Sequence, residues 1–337
     1  MAIRKWAWTL AVAAMLIAPH ATYADEITLL YGTGTPQGTH ISLRVFHPWA
    51  ERINAQGKGI INIDIRDGMA LSNPTNYLSR VLDDVIQVGW GSQSGSAGTF
   101  PLTGFSTIPF QAERSEDASV AFWRLYKSGL LDSEYKNIVP LVLMVYPQAQ
   151  IHLTKAPKTM DDLAGLRLSV AAKNAADSVA KLGGAPSSLP LNDLYQGLAR
   201  NTVDGTVIAW TAFQPFKLAE VTTYHYETQF GAAQAMVFMA RTKYDALPAA
   251  ARKIIDDNSG EAESRALGKA WDEVAEEARV AAKADPKQQV VTPTPAQAAK
   301  WQAATASIAT AWAQATPGGD KVLASFHQAL ADVKAGK

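Results

Sequence analysis

The chain has six histidines but none of the spacings with which histidine usually binds a metal. No H-E-x-x-H pair and no other metal-ligand spacing occurs among them. The segment Gly91-Ser-Gln-Ser-Gly95 has the outline of a G-x-S-x-G turn, yet it places Gln93 where the nucleophile would be. Cysteine is absent, which excludes cysteine nucleophiles, thiolate metal sites and disulfides. The sequence therefore predicts neither an enzyme nor a cofactor.

A glycine-rich loop follows the first predicted strand. Gly32, Gly34 and Gly38 miss the G-x-G-x-x-G spacing of nucleotide-binding loops by one residue, and Pro36 interrupts the loop. We therefore interpret this loop as an ordinary connection from a strand to a helix. The Thr35 hydroxyl and the loop amides could still face a ligand, because open α/β sheets bind ligands at the carboxyl ends of their strands.

The apolar residues alternate between strand and helix periods, which predicts an α/β architecture. Ile61, Ile63 and Ile65 alternate with polar residues, as in a half-buried strand, and residues 85–88 form a short apolar strand. The pattern is helical from residue 248 to about residue 284, either continuously or with a break at Asn258-Ser259-Gly260. If only residues 261–284 are continuous, they correspond to about 36 Å of helix. This helix is longer than one small domain needs.

Length and charge narrow the class of protein further. The 337 residues are too many for an average single domain and suit two domains that share one cleft. Basic and acidic residues are balanced at 31 each, and no basic stripe occurs. We therefore expect neither nucleic acid nor an anionic membrane surface as a partner.

Residues 1–24 have the composition of a secretory signal peptide. Arg4 and Lys5 precede an apolar run over residues 6–18, and small residues end at Ala24 before an acidic pair. We predict cleavage near Ala24, with a retained membrane anchor as the alternative, although the run is short for a bilayer span. An exported protein that folds without disulfides fits a bacterial periplasm.

Several short motifs occur in a fixed order along the chain. They are Phe100-Pro101-Leu102, Ile108-Pro109-Phe110, the run from Leu182 to Leu198 that contains Tyr195, Val203-Asp204-Gly205 and Trp271-Asp272-Glu273. This order resembles the solute receptors of TRAP transporters, the DctP type. The resemblance implies a two-lobed periplasmic solute-binding protein fold with a hinge and a long helix bridging both domains. It also implies a monomeric receptor that closes on a small molecule and delivers it to the small and large membrane subunits.

The resemblance also divides the chain into two domains. We predict that residues 25–147 plus about 232–272 form domain I. Residues 148–231 plus about 273–337 would then form domain II, with the ligand cleft between the two. The long helix would cross from one domain to the other.

The usual carboxylate clamp of the family is missing. Its ligand-binding arginine corresponds to Ser169, and its second polar anchor, an asparagine, corresponds to Ile208. Serine offers one hydroxyl, and a carboxylate enclosed without a counter-charge costs several kcal/mol. Lys173 is the nearest replacement cation, with a solvated lysine at a helix start as the alternative. Arg167 is a second candidate if its strand is regular.

Two tryptophans, Trp90 and Trp210, follow predicted strands at the place where a cleft would lie. Their indoles could form walls for a ring or an ammonium group, and core packing is the alternative for both. Asp204 is expected to hold a turn. Further residues in segments that line the cleft in the family are Ser92, Gln93, Gln148 and His152.

The missing clamp leaves the ligand class open. An organic acid held by Lys173 and backbone amides is the first hypothesis, because the family favours acids. A neutral or cationic ligand held by Trp210 and Trp90 is the second. A receptor of an ABC importer and an exported sensor are alternatives with a similar two-lobed shape.

Overall fold

The computed structural model of the protein describes residues 26–96, 98–161 and 163–337. The predicted signal peptide, with its cleavage site near Ala24, lies outside these residues. The described residues form two β-sheets, and helices pack against each sheet. No helix among them is long and apolar enough to cross a membrane.

The strands and helices are defined here in chain order. The strands are β1 (Ile27–Gly32), β2 (Ile61–Arg66), β3 (Val88–Ser92), β4 (Ile138–Val145), β5 (Gln150–Leu153), β6 (Arg167–Ser169), β7 (Ala185–Ser187), β8 (Gly205–Ile208), β9 (Tyr224–Tyr226), β10 (Gln234–Ala240) and β11 (Gln289–Val291). The α-helices are α1 (His47–Gln56), α2 (Tyr77–Leu82), α3 (Ser115–Lys127), α4 (Asp132–Tyr135), α5 (Lys173–Lys181), α6 (Leu194–Ala199), α7 (Phe213–Phe216), α8 (Arg241–Asp245), α9 (Ala249–Asp257), α10 (Glu261–Ala284), α11 (Pro295–Thr305), α12 (Ser307–Ala315) and α13 (Gly319–Lys334). A π-helical turn covers Ser42–Phe46, and 3₁₀ turns cover Gln93–Ser96, Leu102–Thr107, Leu191–Asp193, Trp210–Ala212 and Leu218–Glu220.

The first sheet has the strand order β2-β1-β3-β10-β4. The β1 strand pairs in parallel with β2 and β3, whereas β10 is antiparallel to β3 and β4. Ile61 and Ile63 are buried in one core of this lobe, as their alternation with polar residues predicts. The strand expected at residues 85–88 instead spans Val88–Ser92, because residues 83–87 form turns and bends after α2.

The second sheet has the strand order β11-β9-β5-β8-β6-β7. The β6 strand runs parallel to β7 and β8, and β9 runs parallel to β11. The β5 strand is antiparallel to β8 and β9. One face of the sheet packs into a core with α5 and α11, and the opposite face packs on the segments after β8 and on α10.

Two short crossovers carry the chain between the sheets, residues 146–149 and 227–233, in addition to the helical segment from β10 to β11. The crossovers are hydrogen-bonded to each other: the Tyr146 amide donates to the Ala233 carbonyl, and the Ala149 amide donates to the Gly231 carbonyl, both at 2.8 Å. These paired segments form the hinge of the predicted two-lobed fold.

The long helix α10 bridges the two lobes. Trp271 lies in the core of the first lobe, and Ala275 and Ala282 lie in a core of the second. A Cβ at Gly268 would lie 2.7 Å from the Ser115 carbonyl oxygen, so glycine permits close packing of α10 on α3. The predicted bridging helix is therefore confirmed.

The C-terminal helices divide between the lobes. Trp301 of α11 is buried in a core of the second lobe. Helix α13 instead packs on α3, and its Val322 and Phe326 are buried in a core of the first lobe. The expected division placed all of residues 273–337 in domain II, but α13 buries its apolar face against the first lobe.

Candidate functional site

Aromatic side chains gather where the first lobe meets the hinge and α10. Trp90 of β3 and Trp271 of α10 have ring centroids 6.4 Å apart and ring planes at 16°. Tyr146, in the first crossover, contacts these rings at 6.3 and 4.8 Å respectively. Phe46 packs on Trp90 at 5.0 Å and on Tyr31 at 5.7 Å. We call these five residues the aromatic cluster.

Trp90 itself packs as a core residue. Its side chain is only 6% exposed and is held between Phe46 and Trp271. The sequence predicts a strand that ends at residue 88, which would leave Trp90 after the strand as a wall of the cleft, with core packing as the alternative. Because β3 extends to Ser92, the indole lies within the strand and packs between the sheet and α10.

A row of polar side chains crosses the second sheet on the face that carries Trp210. In the strand register, Ser169 is opposite Thr206, Thr206 is opposite His152, and His152 is opposite His225. Directly paired residues point to the same face of a sheet. All four are buried. We call Ser169, Thr206, His152 and His225 the polar row.

Ser169, at which the resemblance leads us to expect the family's arginine, begins this row. It is 5% exposed, and its carbonyl accepts a hydrogen bond from the Thr206 hydroxyl at 3.1 Å. Arg167 does not replace the arginine, because its guanidinium pairs with Asp204 at 3.0 Å at the start of β6. Asp204 also accepts from the Arg167 amide, so it holds a turn, as the sequence predicts.

Lys173 lies on the surface. Its side chain is 82% exposed, and its ammonium pairs with Asp177 at 2.6 Å, one helical turn further along α5. The solvated alternative therefore describes this lysine in the structure. The expectation of a buried replacement cation rested on sequence distance from Ser169, but the start of α5 directs the side chain into solvent.

Trp210 covers the histidine end of the polar row. Its ring centroid lies 4.7 Å from each of His152 and His225 and 4.6 Å from Phe213. The indole is 3% exposed, so in this structure it packs in a core of the second lobe. Ile208, at which the resemblance leads us to expect an asparagine, lies two residues before Trp210.

The remaining candidate residues each have a local partner. The Ser92 hydroxyl donates to the Gln234 carbonyl at 3.0 Å, and the Gln93 amide donates to the Tyr135 hydroxyl. Gln148 lies in the hinge, where its side-chain oxygen accepts from the Gly231 amide at 3.1 Å. The Thr35 hydroxyl is 3.1 Å from the Thr33 hydroxyl.

Asp67, at the end of β2, is a charged group that the sequence analysis missed. Its carboxylate accepts from the Thr33 hydroxyl at 3.0 Å and the Ser42 hydroxyl at 2.6 Å, and lies 3.0 Å from His47 Nε2. Burial alone would raise the pKa of Asp67, but the bonds from Ser42, His47 and Thr33 outweigh burial and lower it. The sequence signal that could have indicated this residue is the Asp67-Gly68 pair, which directly follows a predicted strand.

The lobes also touch across the junction away from the hinge. The Asn174 side chain, at the start of α5, donates to the Thr107 hydroxyl of the first lobe at 2.9 Å. On the other side, Arg44 of the first lobe pairs with Glu277 of α10 at 2.6 Å. These contacts place the start of α5 and the middle of α10 against the first lobe.

Three buried donors in these clusters have no acceptor among the described residues. They are the Tyr31 hydroxyl, Trp271 Nε1 and Trp210 Nε1. Burial, followed by the charges of Asp67 and Tyr146, raises the pKa of Tyr31, so its hydroxyl keeps its hydrogen. A buried donor without an acceptor costs about 1–3 kcal/mol. Other unpartnered atoms belong to Thr39, Gln93, Tyr226, Arg252 and Trp301.

Comparison with known families assigns the chain. Residues 31–315 match DctP, the bacterial extracellular solute-binding protein family 7. The chain belongs to this family. The family is periplasmic, and its members bind small molecules and work with membrane permeases. The protein is therefore a solute receptor of the TRAP type and not an enzyme.

Solved structures resemble the receptor over nearly its whole length. A TRAP solute-binding protein from Rhodoferax ferrireducens T118 with benzoate has a TM-score of 0.85 and 25% identity, over 92% of this chain and 100% of that one. A marine metagenome protein specific for aromatic acids, with 3-hydroxybenzoate, has a TM-score of 0.85, 22% identity and coverages of 92% and 99%. These similarities confirm the two-lobed fold.

Two further relatives are similar to the receptor. A Bordetella bronchiseptica TRAP solute-binding protein with bound mandelate has a TM-score of 0.82 and 22% identity, over 91% of this chain and 99% of that one. The outer membrane transporter protein TsaT of Comamonas testosteroni is 25% identical over 263 residues, which are 75% of this chain and 76% of that protein.

Proposed function

We propose that this receptor binds a small organic acid with an aromatic ring between its two lobes and delivers it to the small and large membrane subunits. The observation that carries the ligand class is the set of buried donors without acceptors on Tyr31, Trp210 and Trp271. A carboxylate is an acceptor at both oxygens and matches such donors. Indoles also pack well against an aromatic ring. The similar structures with benzoate, 3-hydroxybenzoate and mandelate support the same class.

In the proposed site, the second lobe binds the anionic end of the ligand. Ser169 is followed within four residues by α5, a nine-residue helix whose N-cap Ala172 makes no side-chain capping bond. Unpaired amides and the helix dipole at such an end attract anions. The Ser169 hydroxyl and these amides would bind the carboxylate in place of the absent arginine. Lys173 has no part in this proposal.

A cationic or neutral ligand is the second candidate. After burial, the charge of Asp67 is the next cause that raises the pKa of Tyr31, so a negative charge lies close to the aromatic cluster. An ammonium group would gain from both the rings and the carboxylate. However, Asp67 already accepts from two hydroxyls and lies against His47, so its charge is largely compensated.

The location and the domain limits complete the proposal. We propose a periplasmic monomer that is cleaved near Ala24. Domain I comprises residues 25–147 and about 232–272, and domain II comprises residues 148–231 and about 273–337, except that α13 packs on domain I. Mass spectrometry of the exported protein would identify its N-terminus, and light scattering would give its oligomeric state.

A thermal-shift screen of matched ligands tests the ligand class. Benzoate, benzamide and benzylamine share one ring and differ in charge. We expect benzoate to stabilise the receptor, by about 2.7 kcal/mol at a hundred times its Kd, because its carboxylate has two accepting oxygens and a negative charge for the helix amides, whereas benzamide has one neutral accepting oxygen and benzylamine has none. Stabilisation by benzylamine and not by benzoate would overturn the acid and support the cationic alternative.

A further inference from the structure

A continuous chain of hydrogen bonds runs through the two histidines of the polar row. His152 Nε2 is 3.1 Å from the Ile208 carbonyl oxygen, and the two Nδ1 atoms of His152 and His225 are 2.9 Å apart. His225 Nε2 is 2.7 Å from the Gln288 side-chain oxygen. The Gln288 amide nitrogen then donates to the Ala219 carbonyl at 3.0 Å. The chain thus joins the end of β8 to the segment just after α10.

The hydrogens needed by this chain exceed those of two neutral imidazoles. A carbonyl only accepts, so His152 Nε2 must carry a hydrogen toward Ile208. The contact between the two Nδ1 atoms needs one hydrogen. The Gln288 oxygen accepts because its nitrogen is committed to Ala219, so His225 Nε2 must also carry a hydrogen. Three hydrogens are required, whereas two neutral histidines carry two.

The surroundings of the pair are apolar. Trp210 and Phe213 lie against both imidazoles, with ring centroids 4.6–5.4 Å away. Burial, and then the neighbouring His225, lower the pKa of His152, and burial lowers the pKa of His225 against the bond from Gln288. At neutral pH the two imidazoles therefore carry two hydrogens, and one of the three contacts lacks the hydrogen that it needs.

Charged groups on the adjacent segments have other partners. Glu220 accepts from the Tyr195 hydroxyl, Asp285 accepts from the Lys287 amide, and Arg279 and Lys283 of α10 pair with Glu227. Tyr224 and Tyr226 of β9 lie on the opposite face of the sheet. The charge state of the pair is therefore decided mainly by its burial and, after that, by the contacts within the chain of hydrogen bonds.

We propose that His152, His225 and Gln288 form a proton-sharing chain that takes up a third proton in acid and then supplies a buried cation beneath Trp210. With three hydrogens present, every contact from Ile208 to Ala219 is satisfied. Without the third, one contact has to give way: the imidazoles separate, His152 leaves the Ile208 carbonyl, or the Gln288 amide rotates and gives up Ala219. Protonation thus ties the end of β8 to the segment that follows the bridging helix.

This cation would affect ligand binding, an inference that rests on the proposed function. His152 belongs to the same cross-strand row as Ser169 and lies two strands away, which corresponds to about 10 Å, and His225 lies one strand further. A charge at that distance attracts a bound carboxylate appreciably in a protein interior. The second lobe would then replace the fixed charge of an arginine with one that depends on pH.

Side-chain nitrogen NMR of the intact receptor tests the proton chain directly. Between pH 8 and pH 4.5, we expect His152 and His225 to take up one proton together, at a pH below that of an ordinary histidine. Gln288→Glu supplies a carboxylate to His225 Nε2 and should raise this pH by about one unit or more. Gln289→Glu, which adds the same charge one residue away on an exposed side chain, is the matched control and should leave it nearly unchanged. Independent titration near pH 6.5, or equal shifts in both variants, would overturn the proposal.

Benzoate affinity tests the link to the ligand. Benzoate stays ionised at pH 5.5 and pH 8, and we expect roughly three- to tenfold tighter binding at pH 5.5. Gln288→Leu removes the oxygen that accepts from His225 Nε2, and it should make the affinity for benzoate nearly independent of pH. Binding that is independent of pH while the histidines titrate would overturn the link. If benzoate binds at neither pH, the proposed ligand fails, and the NMR titration alone decides the histidine chain.

Discussion

Ser169 and Lys173 show how little sequence distance says about a binding site. The two residues are four apart, yet one is buried in the polar row and the other is 82% exposed in solvent. A clamp on the ligand carboxylate requires a group that is enclosed with it, because exposed charges are screened by water. The hydroxyl of Ser169 meets that requirement, and the ammonium of Lys173 does not.

Substituting these two residues should therefore have opposite results. Lys173→Ala should leave the affinity for the best-stabilising acid within about twofold, because its partner is Asp177 and the pair is exposed. Ser169→Ala should weaken the affinity roughly tenfold or more, the value of one hydrogen bond to a charged group. Calorimetric titration measures both. A large loss in Lys173→Ala with none in Ser169→Ala would restore the lysine as the clamp.

Asp67 should contribute to stability in a pH-dependent way. Its pKa is lowered in the folded state, so its stabilisation is full above the ordinary aspartate pKa and disappears as the pH falls through the folded value. Asp67→Asn should cost about 1–3 kcal/mol at pH 7 and less at pH 3.5. Urea unfolding at both pH values measures this change.

A second aspartate provides the control for this experiment. Asp64 pairs with Arg66 on the surface at 2.7 Å, so Asp64→Asn should change the free energy of unfolding by less than about 1 kcal/mol. Equal effects of Asp67→Asn and Asp64→Asn at pH 7 would contradict the role of the buried network.

At the scale of elements, the hinge consists of two crossovers that are held together by backbone bonds and by Gln148. Gly231, at the centre of the second crossover, has a φ of +89°, and a Cβ there would lie 2.3 Å from the Thr107 carbonyl oxygen. Thr107 belongs to the first lobe and also bonds Asn174 of the second. The hinge and the contact across the lobes therefore share one segment.

Gly231→Ala should lower the free energy of unfolding by more than the cost of placing an alanine at a positive φ. A non-glycine residue in this region costs about 1–2 kcal/mol, and the clash with Thr107 adds to it. Gly59→Ala is the matched control, because Gly59 has a φ of +77° and nothing within 4 Å of its Cβ position. Urea unfolding should show the larger loss for Gly231→Ala. Equal losses would indicate that the crossover adapts at no cost.

At the scale of the whole molecule, the receptor has the parts that domain closure needs. Two lobes are joined by two paired crossovers and by α10, and they touch through Asn174 and Thr107. A ligand shifts the balance of open and closed forms only by its differential contacts with them. Small-angle scattering should show a smaller radius of gyration with the stabilising acid than without it. An unchanged radius would rule out closure.

Much of this architecture could be predicted from local patterns. The alternation of Ile61, Ile63 and Ile65 gives a strand with one wet face, and the uninterrupted helical period of residues 261–284 matches α10. The ordered motifs around Tyr195 and Asp204 indicate the family. Helix α13 was assigned to the wrong lobe because an amphipathic period says that a face is buried but not against which partner.

The sequence by itself determined the class of receptor and the bridging helix, because these depend on motif order and on helical periodicity. The tertiary structure alone decided what surrounds Ser169. It placed Lys173 in solvent, Trp90 in a core, and His152 opposite His225 through strands that are far apart in the chain. Cross-strand register is set by the packing of whole sheets, and a binding site is an arrangement of side chains from several such strands.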